Sequence, residues 1–266
     1  MSTIVYFTKK KYLEEIDWNE FFASGRSLGN IPYDESWAIL FSIIKNDNKF
    51  KDIENKLRRY VRLNREIHIY PRPNLVFRAF TATPADEIKV VILGQDPYFN
   101  CEYAHGSFIP QATGLSFSVA GDMPIPSSLD NIYQNLVKYR HLEKKPSTGN
   151  LWFWAMQGCL MLNTALTVED GKKKSHSSMW EWMTNQMIRY ISDTMDGIIF
   201  VLWGGDAYSK IDLINLDRHH LIISSHPSGL SANKPFKSFP PFANNDHFGQ
   251  INQLLLKMNK GQILWN

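Results

Sequence analysis

Cysteine is scarce in this sequence, and long apolar runs are absent. Cys101 and Cys159 are the only cysteines among 266 residues. Two cysteines make no disulfide framework, and neither has metal-ligand spacing around it. The apolar run from 198 to 203 is far shorter than the roughly 20 residues of a membrane-spanning helix, and residues 1–11 contain no apolar signal region. We therefore expect a soluble, intracellular protein with no membrane partner, in a bacterial cytoplasm or in the nucleus or host cell of a eukaryotic or viral system.

Signatures of common enzyme classes are also missing. The sequence contains neither H-E-x-x-H nor G-x-G-x-x-G, so the zinc-protease and Rossmann dinucleotide interpretations lack their signals. We also expect no serine nucleophile elbow. His219 and His220 are adjacent, but no partner spacing supports a metal site there, and we interpret them as structural. No metal and no cofactor are expected.

The net charge of +3 is mildly basic. Basic residues cluster in two runs, at 56–65 ("KLRRYVRLNR") and at 171–176 ("GKKKSH"). Such runs usually form solvated faces. The alternative is a phosphate-facing patch, because each neutralised phosphate adds affinity through counterion release.

Periodicity predicts an α/β protein with a helical N-terminal portion. Residues 35–61 have apolar side chains at helical spacing, and 73–80 form a shorter helix opened by proline. Apolar runs without polar alternation then alternate with helical stretches, which is typical of a parallel sheet covered on both faces. We predict a single domain with a central four-stranded parallel sheet flanked by helices. The predicted strands are 88–94, 158–163, 197–204 and 220–226.

The ends of these four strands carry the residues of chemical interest. They deliver Asp96, Asn163, the Gly204–Gly205 pair and His226. Ligands of open α/β sheets bind beyond the carboxyl ends of the strands. We therefore expect a carboxylate, an amide and an imidazole to converge in one cleft.

This trio suits one reaction better than others. O-glycosidases typically use two carboxylates, one of which protonates the leaving oxygen. A base attached to deoxyribose can instead leave as a stabilised anion, which needs a hydrogen-bond donor, while one buried carboxylate stabilises the sugar cation. Asp96, His226 and Asn163 fit those needs.

Five ordered stretches carry a specific resemblance. They are "GQDPY" (94–98), "GLSFSV" (114–119), "SLDNIY" (128–133), "LNTALTV" (162–168) and "HPSGLS" (226–231). Together they resemble the family 1 uracil-DNA glycosylases, from about residue 36 to the C-terminus. The resemblance implies a catalytic domain over 36–266, preceded by a segment (1–35) that lies partly outside it.

The resemblance implies a role for each pocket residue. Asp96 would align the attacking water and stabilise the sugar cation, and the following proline would help to aim it. His226 would donate a hydrogen bond to uracil O2. Asn163 would read the base edge, although it could merely cap the next segment. The Gln95 backbone would bind near the same edge.

Two aromatic residues and several loop residues complete the implied site. Tyr98 would exclude a C5 methyl group, and Phe117 would stack on the uracil, although either could be an ordinary core residue. Leu230 would enter the space left by the flipped base, unless it is an ordinary exposed loop leucine. The implied DNA contacts are Ser128, Ser228 and Lys234.

The chain departs from the family pattern in its loops. Phe99 stands where the family usually has histidine, and the stretch 99–113 is longer than the usual connection. Ser127 and Gly229 stand where prolines are usual, and Gly205 replaces a frequent phosphate-binding serine. These changes bear on DNA affinity and duplex preference more than on the chemistry.

We therefore expect a monofunctional, monomeric uracil-DNA glycosylase. It would act on single- and double-stranded DNA containing uracil, as the first step of base excision repair. By family resemblance, replication proteins or a proteinaceous uracil-glycosylase inhibitor are candidate partners. Two alternatives are a mismatch glycosylase of the same superfamily and a DNA-binding replication partner with weak or no glycosylase activity.

Overall fold

A computed structural model of the chain describes residues 16–63, 68–104, 107–120 and 123–266. The N-terminal segment 1–35 is therefore described only from residue 16. Arg65 of the first basic run and the dipeptide His105–Gly106 of the long connection lie outside the described residues.

The central sheet confirms the predicted architecture. Its four strands are all parallel and lie in the order β5-β2-β7-β8. The strands, in chain order, are β1 (Ile69–Tyr70), β2 (Val90–Gly94), β3 (Cys101–Ala104), β4 (Ser107–Pro110), β5 (Cys159–Asn163), β6 (Val168–Glu169), β7 (Ile199–Trp203) and β8 (His220–Ser224). Every residue of β2, β5 and β7 is buried, which explains why these segments show no polar alternation.

Helices flank this sheet on the described part of the chain. They are α1 (Trp18–Ala23), α2 (Ala38–Asn46), α3 (Asn48–Leu63), α4 (Arg78–Ala82), α5 (Ser127–Lys138), α6 (Trp152–Ala155), α7 (Ser177–Thr194), α8 (Gly205–Tyr208) and α9 (His247–Lys257). Helices α2, α3 and α7 pack against one another. The side chain of Asp246 caps α9 by accepting the Gly249 N–H at 2.9 Å.

The predicted helical region 35–61 is interrupted at one residue. Asp47 has an extended backbone (φ −84°, ψ 137°) between α2 and α3. Its carboxylate accepts the Lys49 N–H at 2.8 Å. A short acidic side chain that bonds the local backbone competes with helix continuation, and apolar periodicity alone does not reveal such a break.

Two small antiparallel pairs were not predicted. Strand β1 pairs with β6, and β3 pairs with β4 in a hairpin. The hairpin occupies most of the long connection at 99–113. The parallel strands also begin or end one or two residues inside their predicted bounds.

The expectation about serine elbows needs a correction. The pattern G-x-S-x-G does occur, at 25–29. Ser27 there precedes a short 3₁₀ helix (Leu28–Asn30), and its hydroxyl contacts Asn30 Oδ1 at 3.1 Å. A nucleophile elbow joins a strand to a helix, so this serine is a turn residue.

No helix among the described residues has the length and apolar character needed to cross a membrane.

Candidate active site

A small pocket opens beyond the carboxyl ends of β2 and β5. Its volume is about 130 Å³. It brings together the three side chains that the strand ends were expected to deliver, and also the aromatic residues and both serines. The lining residues are Gly94, Gln95, Asp96, Pro97, Tyr98, Phe99, Phe117, Ser128, Asn163, Lys173, His226 and Ser228.

The Asp96 carboxylate is held by two donors. Its Oδ2 accepts the backbone N–H of Lys174 at 2.7 Å, and its Oδ1 accepts the hydroxyl of Ser177 at 3.1 Å. Burial raises the pKa of Asp96, while these two hydrogen bonds and the charge of Lys173 act to lower it. These two donors fix the orientation of the Asp96 carboxylate at the pocket.

Sequence reasoning missed the residues that hold Asp96. Ser177 is the first residue of α7, and Lys173 and Lys174 lie just before it. The signal was the lysine run followed by serines at a helix start, where N–H groups and the helix dipole favour an anion. In this run, Lys172 is paired with Glu169 and Lys174 with Asp206, whereas Lys173 lines the pocket. In the other basic run, Arg58 is paired with Glu54 at 2.8 Å.

His226 is held as a neutral imidazole. Its Nδ1 accepts the Ser228 N–H at 3.0 Å, so the ring proton of the neutral form lies on Nε2, where it is available as a donor. Burial lowers the pKa of His226 to about 4, and the charge of Lys173 acts in the same direction. The imidazole is therefore uncharged at neutral pH.

Gly204 lets His226 approach the sheet. It has a positive φ of 86°, and a Cβ there would lie 2.7 Å from the Cβ of His226. The glycine pair at the end of β7 therefore has a steric function beside the imidazole.

Asn163 lies on the floor of the pocket. It is 6% exposed, and it is the register partner of Gly94 in β2. A Cβ at Gly94 would lie 2.2 Å from Asn163 Oδ1, so only glycine leaves room for this amide. Among the described residues, no side chain or backbone group hydrogen-bonds the Asn163 amide, whose donors and acceptor remain available to a ligand.

Backbone hydrogen bonds tie the segment after Asn163 to the Asp96 turn. The Thr164 N–H donates to Gly94 O and the Ala165 N–H to Gln95 O, both at 3.0 Å. The Thr164 hydroxyl also donates to Gln95 O at 3.0 Å. The turn that carries the carboxylate and the strand end that carries the amide therefore form one unit.

Phe117 has a strained backbone. Its φ is +61°, a conformation that costs a non-glycine residue about 1–3 kcal/mol and that clusters at functional sites. The Tyr98 hydroxyl donates to Phe117 O at 3.3 Å, and the Ser116 hydroxyl donates to Ile92 O at 3.1 Å. The Phe117 ring lies 5.9 Å from the His226 ring between centroids. These contacts keep the Phe117 ring at the wall of the pocket.

Phe99 lines the pocket where the family pattern has a polar ring. It also packs on a small apolar cluster of Tyr70, Ala112 and Val168. Its carbonyl accepts the Gly171 N–H at 2.7 Å, which joins the pocket to the lysine-containing loop.

The predicted DNA-contacting residues divide between the pocket and the surface. Ser128 and Ser228 line the pocket. The Asn131 side chain donates to Pro227 O at 2.7 Å, which joins α5 to the loop that carries Ser228. Leu230 is 84% exposed and Lys234 is exposed; neither lines the pocket.

No group of three or more His, Cys, Asp or Glu side chains in the described ranges is arranged to hold a metal ion. His219 is buried, and its Nε2 lies 2.9 Å from Ser192 O. Both cysteines are free.

The fold and this pocket define an α/β enzyme of the base-excising class, and comparison with known proteins agrees. The model of the uracil DNA glycosylase superfamily matches residues 80–256. The chain belongs to this superfamily.

The relatives found include viral and bacterial proteins. A probable uracil-DNA glycosylase of Acanthamoeba polyphaga mimivirus is 37% identical over 262 residues, which cover 94% of this chain and 69% of that protein. A uracil-DNA glycosylase of Yersinia pestis is 44% identical over 198 residues, which cover 74% of this chain and 81% of that protein.

Solved structures extend the likeness to three dimensions. The crystal structure of the mimivirus uracil-DNA glycosylase matches with a TM-score of 0.88 at 37% identity, over 94% of this chain and 93% of that one. A variant of the same mimivirus protein in complex with UGI matches with a TM-score of 0.87 at 37% identity, over 94% of each chain.

Proposed function

We propose that this chain hydrolyses the N-glycosidic bond of deoxyuridine in DNA, releasing uracil and leaving an abasic site, as the first step of base excision repair. The observation that carries the proposal is the placement of Asp96, Asn163 and a neutral His226 around one pocket. Family membership supports the same reaction. The relatives offer no support for the mismatch-glycosylase or replication-partner alternatives.

The reaction breaks one bond and forms one. As the bond between C1′ and uracil N1 breaks, its electron pair leaves with the uracil, and positive charge develops on the sugar. The Asp96 carboxylate stabilises that charge and orients a water molecule. The water oxygen bonds to C1′, and one of its protons passes to Asp96 and then to solvent. The released uracil anion takes up a proton from solvent. We expect no metal or cofactor to take part.

His226 stabilises the departing uracil anion. Its Nε2–H donates to uracil O2 as negative charge grows there. One preorganised donor of this kind is worth about 3–4 kcal/mol of transition-state stabilisation. Because the imidazole is neutral, it adds no positive charge beside the sugar cation.

The other pocket residues select uracil over other bases. Asn163 accepts from uracil N3–H and donates to O4, whereas cytosine presents an acceptor and a donor in the opposite order. A mismatched buried polar group costs about 1–3 kcal/mol. Tyr98 blocks a C5 methyl group, Phe117 stacks on the ring, and the Gln95 backbone binds near the base edge.

The surface residues hold the DNA. We assign phosphate contacts to Ser128 and Ser228, small donors at the mouth of the pocket. Leu230 is exposed enough to fill the space that the flipped nucleotide leaves, and Lys234 adds charge near the strand.

A proteinaceous inhibitor is a further proposed partner. The support is the complex of the mimivirus relative with UGI. Replication proteins were also expected as partners, and no feature of the described surface argues for their binding.

Uracil release from a single-stranded oligonucleotide in the presence of EDTA tests the proposal. Single-stranded DNA avoids the cost of flipping a paired base, so the assay isolates the pocket. We expect release by the native chain and a large loss of turnover in Asp96→Asn, with oligonucleotide binding retained. Near-normal turnover in that variant would overturn the role of Asp96. Absence of release by the native chain would overturn the proposed function, and a G·T substrate tests the mismatch alternative.

A further inference from the structure

The hairpin β3–β4 follows the candidate active site along the chain and exposes an aromatic pair, of which Phe108 also lines a separate cavity with Trp18 and Tyr70. Tyr103 is 68% exposed and Phe108 is 66% exposed. They are register partners across the hairpin, and their ring centroids lie 5.3 Å apart at an interplanar angle of 68°. Large exposed apolar groups that lie together mark interaction sites. The hairpin therefore presents a surface that its own folding does not bury.

The base of the hairpin is fixed to the pocket. Phe99 lines the pocket, and its carbonyl accepts the Gly171 N–H at 2.7 Å. The Gln111 N–H donates to Asn100 O at 3.0 Å, which closes the other side of the base. Tyr103 follows Phe99 by four residues, so their Cα atoms lie at most about 14 Å apart.

The hairpin base also contacts a basic loop. Lys172, Lys173 and Lys174 follow Gly171 directly. Lys172 is paired with Glu169 and Lys174 with Asp206, and Lys173 is the lysine of this loop that lines the pocket. Proteins that bind single-stranded nucleic acid combine cations along the backbone with aromatic rings on which bases stack. The acidic group of the hairpin, Glu102, is partly buried and accepts from the Gln111 side chain at 3.2 Å.

We propose that Tyr103 and Phe108 stack on unpaired bases of the DNA strand whose uridine occupies the pocket. The hairpin is then an extension of the DNA-binding surface for single-stranded substrates. This inference rests on the proposed function, which places the uridine in the pocket. Single-stranded DNA is the occupant that the surface fits, because stacked and paired bases do not expose their faces to a side chain.

Substrate length tests the proposal. The kcat/KM for uracil release is measured on a 15-nucleotide single strand and on a trinucleotide, which offers only one flanking base on each side of the uridine. In the double variant Tyr103→Ala with Phe108→Ala, we expect kcat/KM on the long strand to fall about tenfold or more, through KM. We expect the value on the trinucleotide to stay unchanged.

Two further variants separate stacking from other effects. Replacing both residues with tryptophan keeps the ring faces and is expected to preserve the length dependence, whereas leucine at both positions keeps apolar bulk and is expected to lose it. Phe153→Ala is the matched control, because Phe153 is an exposed aromatic residue (44%) of α6, which precedes the amino end of β5, whereas the pocket lies beyond its carboxyl end.

Three results would overturn the inference: an equal loss on both substrates, an unchanged length dependence, or full activity on the long strand with leucine at both positions. If the native chain releases no uracil, the proposed function fails first. Fluorescence anisotropy with an undamaged single strand then tests the hairpin independently, and equal affinities of the native chain and the alanine double variant would refute it.

Discussion

Removing the Ser177 hydroxyl should move the acidic limb of the pH–rate profile. The hydroxyl donates to Asp96 Oδ1 at 3.1 Å, and this hydrogen bond stabilises the ionised carboxylate against burial, which raises the pKa of Asp96. Hydrogen bonds to charged groups are worth about 1.5–3 kcal/mol. This hydrogen bond is long and its donor, Ser177, is partly exposed, so we take the lower end of that energy range. In Ser177→Ala, that energy corresponds to about a tenfold gain in the proton affinity of Asp96.

The Ser177 hydroxyl stabilises the ionised form of Asp96, so its removal should raise the pKa of this carboxyl group. Without the donor, Asp96 takes up its proton at a higher pH, so kcat/KM should begin to fall at a higher pH as the solution is acidified. The other charged groups that act on Asp96, Lys173 and Asp206, are unchanged in this variant. The Lys174 N–H still holds the second oxygen at 2.7 Å, so a large part of the activity at neutral pH should remain.

The assay is kcat/KM on a single-stranded substrate across the acidic range, with two controls. Ser177→Thr keeps the hydroxyl and should keep the native profile. Ser178→Ala alters the neighbouring exposed serine in the same first turn of α7. A uniform loss of activity at every pH, with the acidic limb unmoved, would show that Ser177 supports the fold only and would refute the reasoning about Asp96.

Two further substitutions test the pocket, and a change of pH tests the stability of the fold. Asn163→Asp should weaken uracil release by at least tenfold and introduce slow cytosine release, since a protonated carboxyl can donate to cytosine N3 and accept from N4–H; detecting no free cytosine would contradict this. Gly94→Ala should nearly abolish release while the sheet still folds, because its Cβ would lie 2.2 Å from Asn163 Oδ1; circular dichroism checks the fold. The unfolding temperature should fall as the pH drops from about 6.5 toward 4, because burial lowers the pKa of His176 and of His247 to about 4 and the unfolded chain binds protons first. A flat unfolding temperature across that window would refute this assignment.

Much of the sheet and the central trio could be predicted from the sequence. Buried parallel strands carry no polar alternation, so their apolar runs stand out, and topology then places their carboxyl ends together. Asp96, Asn163 and His226 each follow such a run, and the structure places all three around one pocket.

The supports of the trio could not be predicted, because they depend on long-range geometry. Ser177 and Lys174 meet Asp96 across 81 and 78 residues, and no periodicity specifies which helix start faces a given turn. The hairpin β3–β4 was not predicted for a different reason. Its strands have four residues each and the sequence between Cys101 and Pro110 lacks the apolar–polar alternation that marks a half-buried strand.

One small pocket holds two ionisable groups, Asp96 and His226, and the proposed reaction needs the first charged and the second neutral. Burial acts on both, raising the pKa of Asp96 and lowering that of His226 to about 4, and therefore favours the neutral form of each. The difference lies in their hydrogen-bond partners. Asp96 receives two donors, which favour its anion, whereas His226 receives the Ser228 N–H on Nδ1, which is compatible only with an unprotonated nitrogen there.

Burial thus keeps the imidazole neutral, whereas the donors to Asp96 act against the effect of burial on the carboxylate. A Lys174 amide supports the anion and a Ser228 amide fixes the tautomer, and neither donor changes with pH or with salt. This arrangement suits the proposed reaction, since the carboxylate must be charged before the sugar cation forms, while the imidazole must offer a proton without bringing a charge. A substitution that shifts either backbone segment should therefore impair catalysis even where every pocket side chain is retained.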